Sequence, residues 1–293
     1  MESLGYPRRP RVSKQQTFDK LDILGVSVDV LSLEGAINYI CVYAADRSKP
    51  AGYVIKPYVE FLDRAARQPE LKDLLNQAEL SVADGVAVLW AAHYLYAGPR
   101  NFRRFWLTLV QIVAAPANLA WPIPERAAGT SFTWPLLQAA SAAHLRLYLI
   151  GKESPADIEL VAARVLREVP ALTIAGTCSG RDPQMPRGQV SQEWIEQIAG
   201  RLQAVQPDLI LVGMGFPLQE QVCAQLAERL GHGLLIGEGG TFDYESFGGQ
   251  RRKAPAAVQR TGLEWLWRLA AQPRRFTRQL AIPRYIYKIW KSR

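Results

Sequence analysis

A mostly parallel β-sheet with helices on both faces, an α/β fold, is what this 293-residue sequence predicts. Three observations carry the prediction. Short apolar runs ending in glycine recur through the second half: Leu145 to Ile150 before Gly151, Leu172 to Ala175 before Gly176, Leu209 to Val212 before Gly213, and Leu234 to Ile236 before Gly237. Runs this rich in apolar residues suit strands buried on both faces, and helical stretches separate them. The composition, 48% hydrophobic and 21% charged, is that of a chain able to bury a substantial core.

Residues 1–19 hold Pro, Arg and polar residues without an apolar h-region, so a disordered leader is expected and not a signal peptide. The expected body is 20–250. LDILGVSVDV from Leu21 alternates like a strand pair, Ser32 and Glu34 open a helix through Tyr43, and Tyr53 to Ile55 is a strand. Val59, Leu62, Leu71, Leu74 and Leu75 then recur near helical spacing and predict one helix. Leu80 to Ala83 is a strand stopping at Asp84-Gly85, a common turn pair. At the carboxyl end of a parallel strand that aspartate faces the crevice where open α/β sheets bind ligands, which makes it a candidate base.

Residues 100–124 form a hydrophobic insertion. Arg100, Arg103 and Arg104 lead into Phe105 to Pro124, which carry no charge and hold Trp106 and Trp121 near their ends. Thr108, Gln111, Pro116 and Asn118 make a poor spanning helix, so a helix lying on a membrane surface or capping the fold is expected before a core helix or a true span. Farther on, Ser154, Pro155 and Asp157 resemble a capped helix start, and Trp194 to Val205 reads as helical.

The central stretch is Pro207 to Glu220, PDLILVGMGFPLQE. A buried strand, a turn with Gly213 and Gly215, and a helix opening near Pro217 place free backbone N–H groups where a diphosphate or other anion fits. Gln219 and Glu220 offer polar side chains in the first turn. Strand-glycine-helix also describes dinucleotide sites of oxidoreductases, but Gly213-Met214-Gly215 lacks the third glycine of that fingerprint and no acid is clearly placed for a ribose.

Charge is uneven. Residues 251–293 carry twelve Lys or Arg against Glu264 alone, or +11 of a net +8, which leaves −3 for 1–250. That basic C-terminal appendage interleaves Trp265, Trp267, Phe276, Tyr285, Tyr287 and Trp290 with its cations. Such a mixture suits an anionic bilayer surface, and stacking on single-stranded nucleic acid uses the same residue types. Cys41, Cys178 and Cys223 are far apart and odd in number, and His93, His144 and His232 are scattered, so neither a disulfide framework nor a metal site is expected. A reducing cytoplasm fits best.

Taken together, Ala83-Asp84-Gly85, Glu125-Arg126-Ala127-Ala128-Gly129, GMGFPLQE at 213–220, GEGGTFDY at 237–244, Lys253-Ala254-Pro255 and Gly262-Leu263-Glu264-Trp265 resemble, in order and spacing, the WecG/TagA/CpsF glycosyltransferases. The resemblance covers about Leu21 to Lys288. It implies a Rossmann-like α/β fold and transfer of N-acetylmannosamine, its uronic acid or a hexose from a UDP-sugar to a polyprenyl-diphosphate-linked sugar. That reaction is expected at the inner face of the cytoplasmic membrane without metal or other cofactor, by a possible homo-oligomer that does not use nucleic acid. It places the general base on Asp84 and the family's glutamine on Gln219. Substrate-binding positions then fall on Lys56, Tyr58, Arg126, Gly213, Gly215, Gln219, Glu220, Gly239, Gly240, Thr241 and Asp243. Arg251, Arg252 and Lys253 are expected to meet the diphosphate and close the site. Lys56-Pro57-Tyr58 stands where the family often has Thr-Pro-Asn, so Lys56 is expected to add positive charge to the diphosphate pocket. Ser131, Ser179 and Lys253 are further departures, and they leave donor and acceptor identity open.

Overall fold

Six parallel strands form one sheet in the order β4-β3-β8-β7-β5-β6. The strands are β3 (Gly52–Ile55), β4 (Leu80–Ser81), β5 (Arg146–Gly151), β6 (Thr173–Cys178), β7 (Leu209–Gly213) and β8 (Leu234–Gly237). A separate antiparallel hairpin joins β1 (Lys20–Ile23) to β2 (Val26–Asp29). This computed structural model describes residues 18–151, 155–255, 258, 266–267, 270 and 280–292. The expectations for a leader at 1–17, for a cap at Ser154 and for most of 256–279 lie outside them.

Leu209, Ile210, Leu211 and Val212 of β7 are all fully buried, as a central parallel strand requires. Their side chains alternate between two cores. Leu209 and Leu211 join Leu147, Leu149, Leu234 and Ile236 beneath α1 (Leu33–Ala45), α6 (Gly129–Ala142) and α7 (Pro155–Glu168). Ile210 and Val212 join Tyr148, Ile150 and Leu235 on the other face. That face is covered by α2 (Val59–Ala65), α3 (Pro69–Asn76), α4 (Val86–Tyr96), α8 (Gln192–Val205) and α9 (Leu218–Ala227). At about 1.5–3 kcal/mol for each side chain removed from water, this double burial is the main force holding the sheet.

Local signals set several boundaries. Ser32 Oγ accepts the Gly35 N–H at 3.1 Å and starts α1 as its cap. The single helix expected from Val59 to Leu75 is two, because Gln68 is extended and Pro69 starts a new helix. Proline cannot donate within a continuing helix but is at home in a first turn. Strand β6 runs through Gly176 instead of ending there: a Cβ at 176 would lie 2.6 Å from the Tyr148 ring, so glycine admits a neighbour's side chain. The three cysteines are buried and free.

The 100–124 segment forms α5 (Phe102–Ala114), capped by Asn101, followed by a 3-10 turn at Pro116–Leu119. Phe105 and Thr108 are buried, and Trp90 Nε1 donates to Thr108 Oγ1 at 3.1 Å, so α5 caps α4 and is not a core helix. No helix among the described residues is long and apolar enough to cross a membrane. The last helix, α10 (Ala281–Lys291), folds back onto the body with Tyr285 and Ile289 fully buried. Beside it Asp63 of α2, itself fully buried, meets Lys288 at 2.9 Å, Arg67 at 2.8 Å and Arg284 at 3.1 Å.

Candidate active site

Because β4, β3, β8 and β7 are parallel neighbours, the segments leaving their carboxyl ends meet along one edge. These segments are Val82-Ala83-Asp84, Lys56-Pro57-Tyr58, Glu238-Gly239-Gly240 and Met214-Gly215. Four stretches far apart in the chain thus reach one crevice, the usual place for ligands of such sheets.

Asp84 is half-buried there, held by backbone bonds on both sides. Its N–H donates to Pro57 O at 2.9 Å, and Ala127 N–H donates to Ala83 O at 2.8 Å. Gly85 follows with φ near +101° and opens α4, a conformation that favours glycine. Tyr58 lies alongside, ahead of the first turn of α2, and donates to Glu60 Oε2 at 3.1 Å. The Ala83–Ala127 bond brings Arg126 onto the segment next to Asp84.

Arg126 lines a small cleft of about 100 Å³ with Ala128 to Ser131, Tyr244, Arg252, Lys253, Ala254 and Trp267. Three predicted cations from two separate stretches, Arg126 and the adjacent Arg252 and Lys253, therefore share one wall. Arg252 is mostly exposed and pairs with Glu245 at 3.0 Å. Arg251 does something else: its guanidinium donates to Gly240 O at 3.2 Å and Asp243 Oδ2 at 3.1 Å, and lies 5.2 Å from the centre of the Tyr244 ring. It pins the 240–244 loop instead of facing the cleft. Within that loop Thr241 Oγ1 donates to Glu238 O at 2.7 Å, closing the turn that carries Gly239, Gly240 and Asp243.

Two of the predicted glycines, Gly215 and Gly239, do not present their N–H groups as expected. Gln219 Oε1 accepts from Gly215 N–H at 3.1 Å and from Gly239 N–H at 2.8 Å, so one buried side chain ties the two loops together. Gln219 Nε2 donates to Glu220 Oε1 at 2.7 Å. Burial lifts the Glu220 carboxyl to about 8, against the opposing hydrogen bond from Gln219. These two amides are occupied, and Gln219 and Glu220 act as a clip behind the crevice wall. Gly213 is required by packing, since a Cβ there would meet the Phe242 ring at 2.4 Å.

Lys56 also departs from expectation. Its side chain is 5% exposed and its Nζ lies 2.8 Å from Glu238 Oε2, whose side chain is fully buried. Thr133 Oγ1 donates to the same oxygen at 2.7 Å, and the ammonium sits 4.9 Å from the centre of the Phe132 ring. The charge is neutralised beneath the site and is not presented to a diphosphate. Nothing local in the sequence singles out Glu238, Thr133, Tyr244 or Trp267 as site residues. Glu238 and Tyr244 lay inside the GEGGTFDY stretch, but nothing local showed that Lys56, 182 positions away, would need a counter-ion. Among the described residues no three His, Cys, Asp or Glu side chains gather as a metal site.

The chain is 25% identical to the N-acetylglucosaminyldiphosphoundecaprenol N-acetyl-beta-D-mannosaminyltransferase of Staphylococcus aureus strain NCTC 8325 / PS 47, over 282 residues covering 96% of both chains. The proteins of that name from strains COL and MRSA252 match to the same extent. The model of the "Glycosyl transferase WecG/TagA/CpsF family" matches residues 21–118 and 109–293, nearly the whole chain. An enzyme of that class replaces the oxidoreductase and nucleic-acid readings. This protein belongs to the WecG/TagA/CpsF family of glycosyltransferases.

Proposed function

We propose that the enzyme transfers N-acetylmannosamine, or a closely related sugar, from a UDP-sugar to N-acetylglucosamine carried on a polyprenyl diphosphate. The names of its relatives support both sugars, and the lipid acceptor supports action at the inner face of the cytoplasmic membrane. One observation carries the mechanism. Asp84 stands at the strand edge beside the segment that delivers Arg126 to the Arg126, Arg252 and Lys253 cleft.

In the reading proposed, the acceptor hydroxyl attacks the anomeric carbon while Asp84 takes its proton as general base. The new carbon–oxygen bond forms as the bond to UDP breaks, which inverts the anomeric centre. The diphosphate leaves with its charge toward Arg126, Arg252 and Lys253, and no metal is invoked. Gln219 positions the two glycine loops and does not touch the reacting atoms. Tyr58 and Asp243 are assigned to sugar binding in this reading.

The test is UDP release by purified enzyme over a panel of UDP-sugars, with and without the lipid-linked acceptor, beside Asp84→Asn. Acceptor-dependent release with one donor, reduced about 10²–10⁴-fold in the variant, is expected. Wild-type rates in Asp84→Asn refute the assignment of the base. Failure to bind UDP refutes the donor class.

A further inference from the structure

Helix α5 has two apolar faces, and the fold uses one. Phe105 and Thr108 are buried against α4, while Phe102, Trp106, Val110 and Val113 recur every three or four residues on the other side. With Leu107 and Trp121 they are 45–64% exposed, the largest run of exposed hydrophobic side chains among the described residues. A run of that extent on one helix marks an interaction surface.

The surroundings identify what covers it. Residues 98–124 contain no acid, and neither does α10. Arg103 is exposed at the start of α5, and Trp290 of α10 continues the aromatic row, 6.1 Å from Phe102 between ring centres. Tyr287 of α10 is exposed, with Lys291 5.6 Å from its ring centre. Behind it a groove of about 500 Å³ is lined by Arg67, Lys72, Lys288 and Lys291. An apolar stripe ringed by aromatics and cations matches a leaflet of anionic lipid, with rings at headgroup depth and ammonium groups on phosphate. A second copy of this chain would bring cations to cations, since neither element carries an acid to answer them.

We propose that α5 lies in the plane of an anionic leaflet with its Phe102, Trp106, Val110 and Val113 face immersed, and that α10 supplies the flanking cations. Docking in this sense does not depend on the reaction assigned above. One consequence does rest on that reading. Pairing of Tyr94 with Phe105 and of Trp90 with Thr108 runs α4 antiparallel to α5. The start of α4, directly after Asp84, is thereby held one helix layer, about 8–10 Å, above the immersed helix. The base then stands over the surface from which a diphosphate-linked sugar projects.

The full chain is floated with vesicles of phosphatidylcholine, with and without phosphatidylglycerol, beside Leu107→Glu/Val110→Glu. Wild type should rise with the anionic vesicles, and the double variant should lose at least about tenfold in bound fraction with an unchanged circular dichroism spectrum. Val113→Glu, a single change at the end of the helix, serves if the double variant does not fold. UDP release with a short-chain soluble acceptor, measured on the same samples, reports the reaction separately from docking. Equal flotation of wild type and variant overturns the proposal. So does a variant that floats normally but turns a dimer into a monomer in lipid-free light scattering, which would assign the face to a second copy.

Discussion

Lys56→Met separates a structural charge from a substrate-binding one. The lost ammonium lies 2.8 Å from Glu238, and neither side chain is more than 5% exposed, so the variant leaves a carboxylate in the interior without its counter-ion. Breaking a buried pair from one side costs about 3–5 kcal/mol. The Thr133 hydroxyl still donates to Glu238, which places the loss toward the lower end. In Lys56→Met/Glu238→Gln the charge is gone, the amide oxygen can still accept from Thr133, and most of the stability should return. Urea unfolding with a shared slope reads both differences as midpoint shifts. A single variant within about 1 kcal/mol of wild type refutes the reasoning, as does a double variant no more stable than the single. UDP affinity of the double variant should stay within a few-fold of wild type. A fall of roughly a hundredfold, about 2.7 kcal/mol, would return Lys56 to the diphosphate.

Two further outcomes follow from buried carboxylates. Glu220, held to about 8 by burial, keeps a proton in the folded state that the unfolded chain releases near its ordinary value of 4.5. The folded state therefore binds more protons between those values, and this residue makes stability fall as pH rises from 4.5 to 8. Glu220→Gln should flatten that slope in thermal melts taken across the window, and an unchanged slope would clear Glu220 of the role. At Asp63 burial works to raise the carboxyl, but Lys288, then Arg67 and Arg284, outweigh it and hold it below its ordinary value. Its contribution is present above the ordinary carboxylate range and lost as pH falls through the folded value. Asp63→Asn should weaken the hold on α10 by about 1–2 kcal/mol, since its three cations are partly solvated. Hydrogen exchange in 281–291 rising about tenfold or more is the expected signature, and unchanged protection there would mean that Tyr285 and Ile289 hold the helix alone.

Much of the architecture is legible in local residues. Four largely apolar runs leading into glycines form strands β5 to β8 and Ser32 caps its helix, whereas β4 stops at Ser81, short of the Asp84-Gly85 pair expected to end it. Helices α4 and α6 carry no comparable local signal. The first is apolar nearly all round, with Trp90 and Tyr94 both fully buried, and the second holds Pro135 in its interior. A helix buried on all sides shows no polar stripe to reveal its period.

The candidate site divides in the same way. Sequence alone determined which residue types reach the carboxyl edge of the sheet, because strand runs and glycine turns depend on neighbours a few positions away. Only the tertiary structure decided what each side chain does there. Nothing near Lys56 in the chain claims its charge, but the fold places Glu238 beside it, and Gln219 of α9 takes up the Gly215 and Gly239 amides in the loops after β7 and β8. Arg251, Arg252 and Lys253 are consecutive cations with one composition, yet the first pins a loop while the other two line the cleft. Charges and hydrogen-bonding groups take their roles from partners within about 3 Å, and those partners are brought together by chain folding and not by sequence proximity.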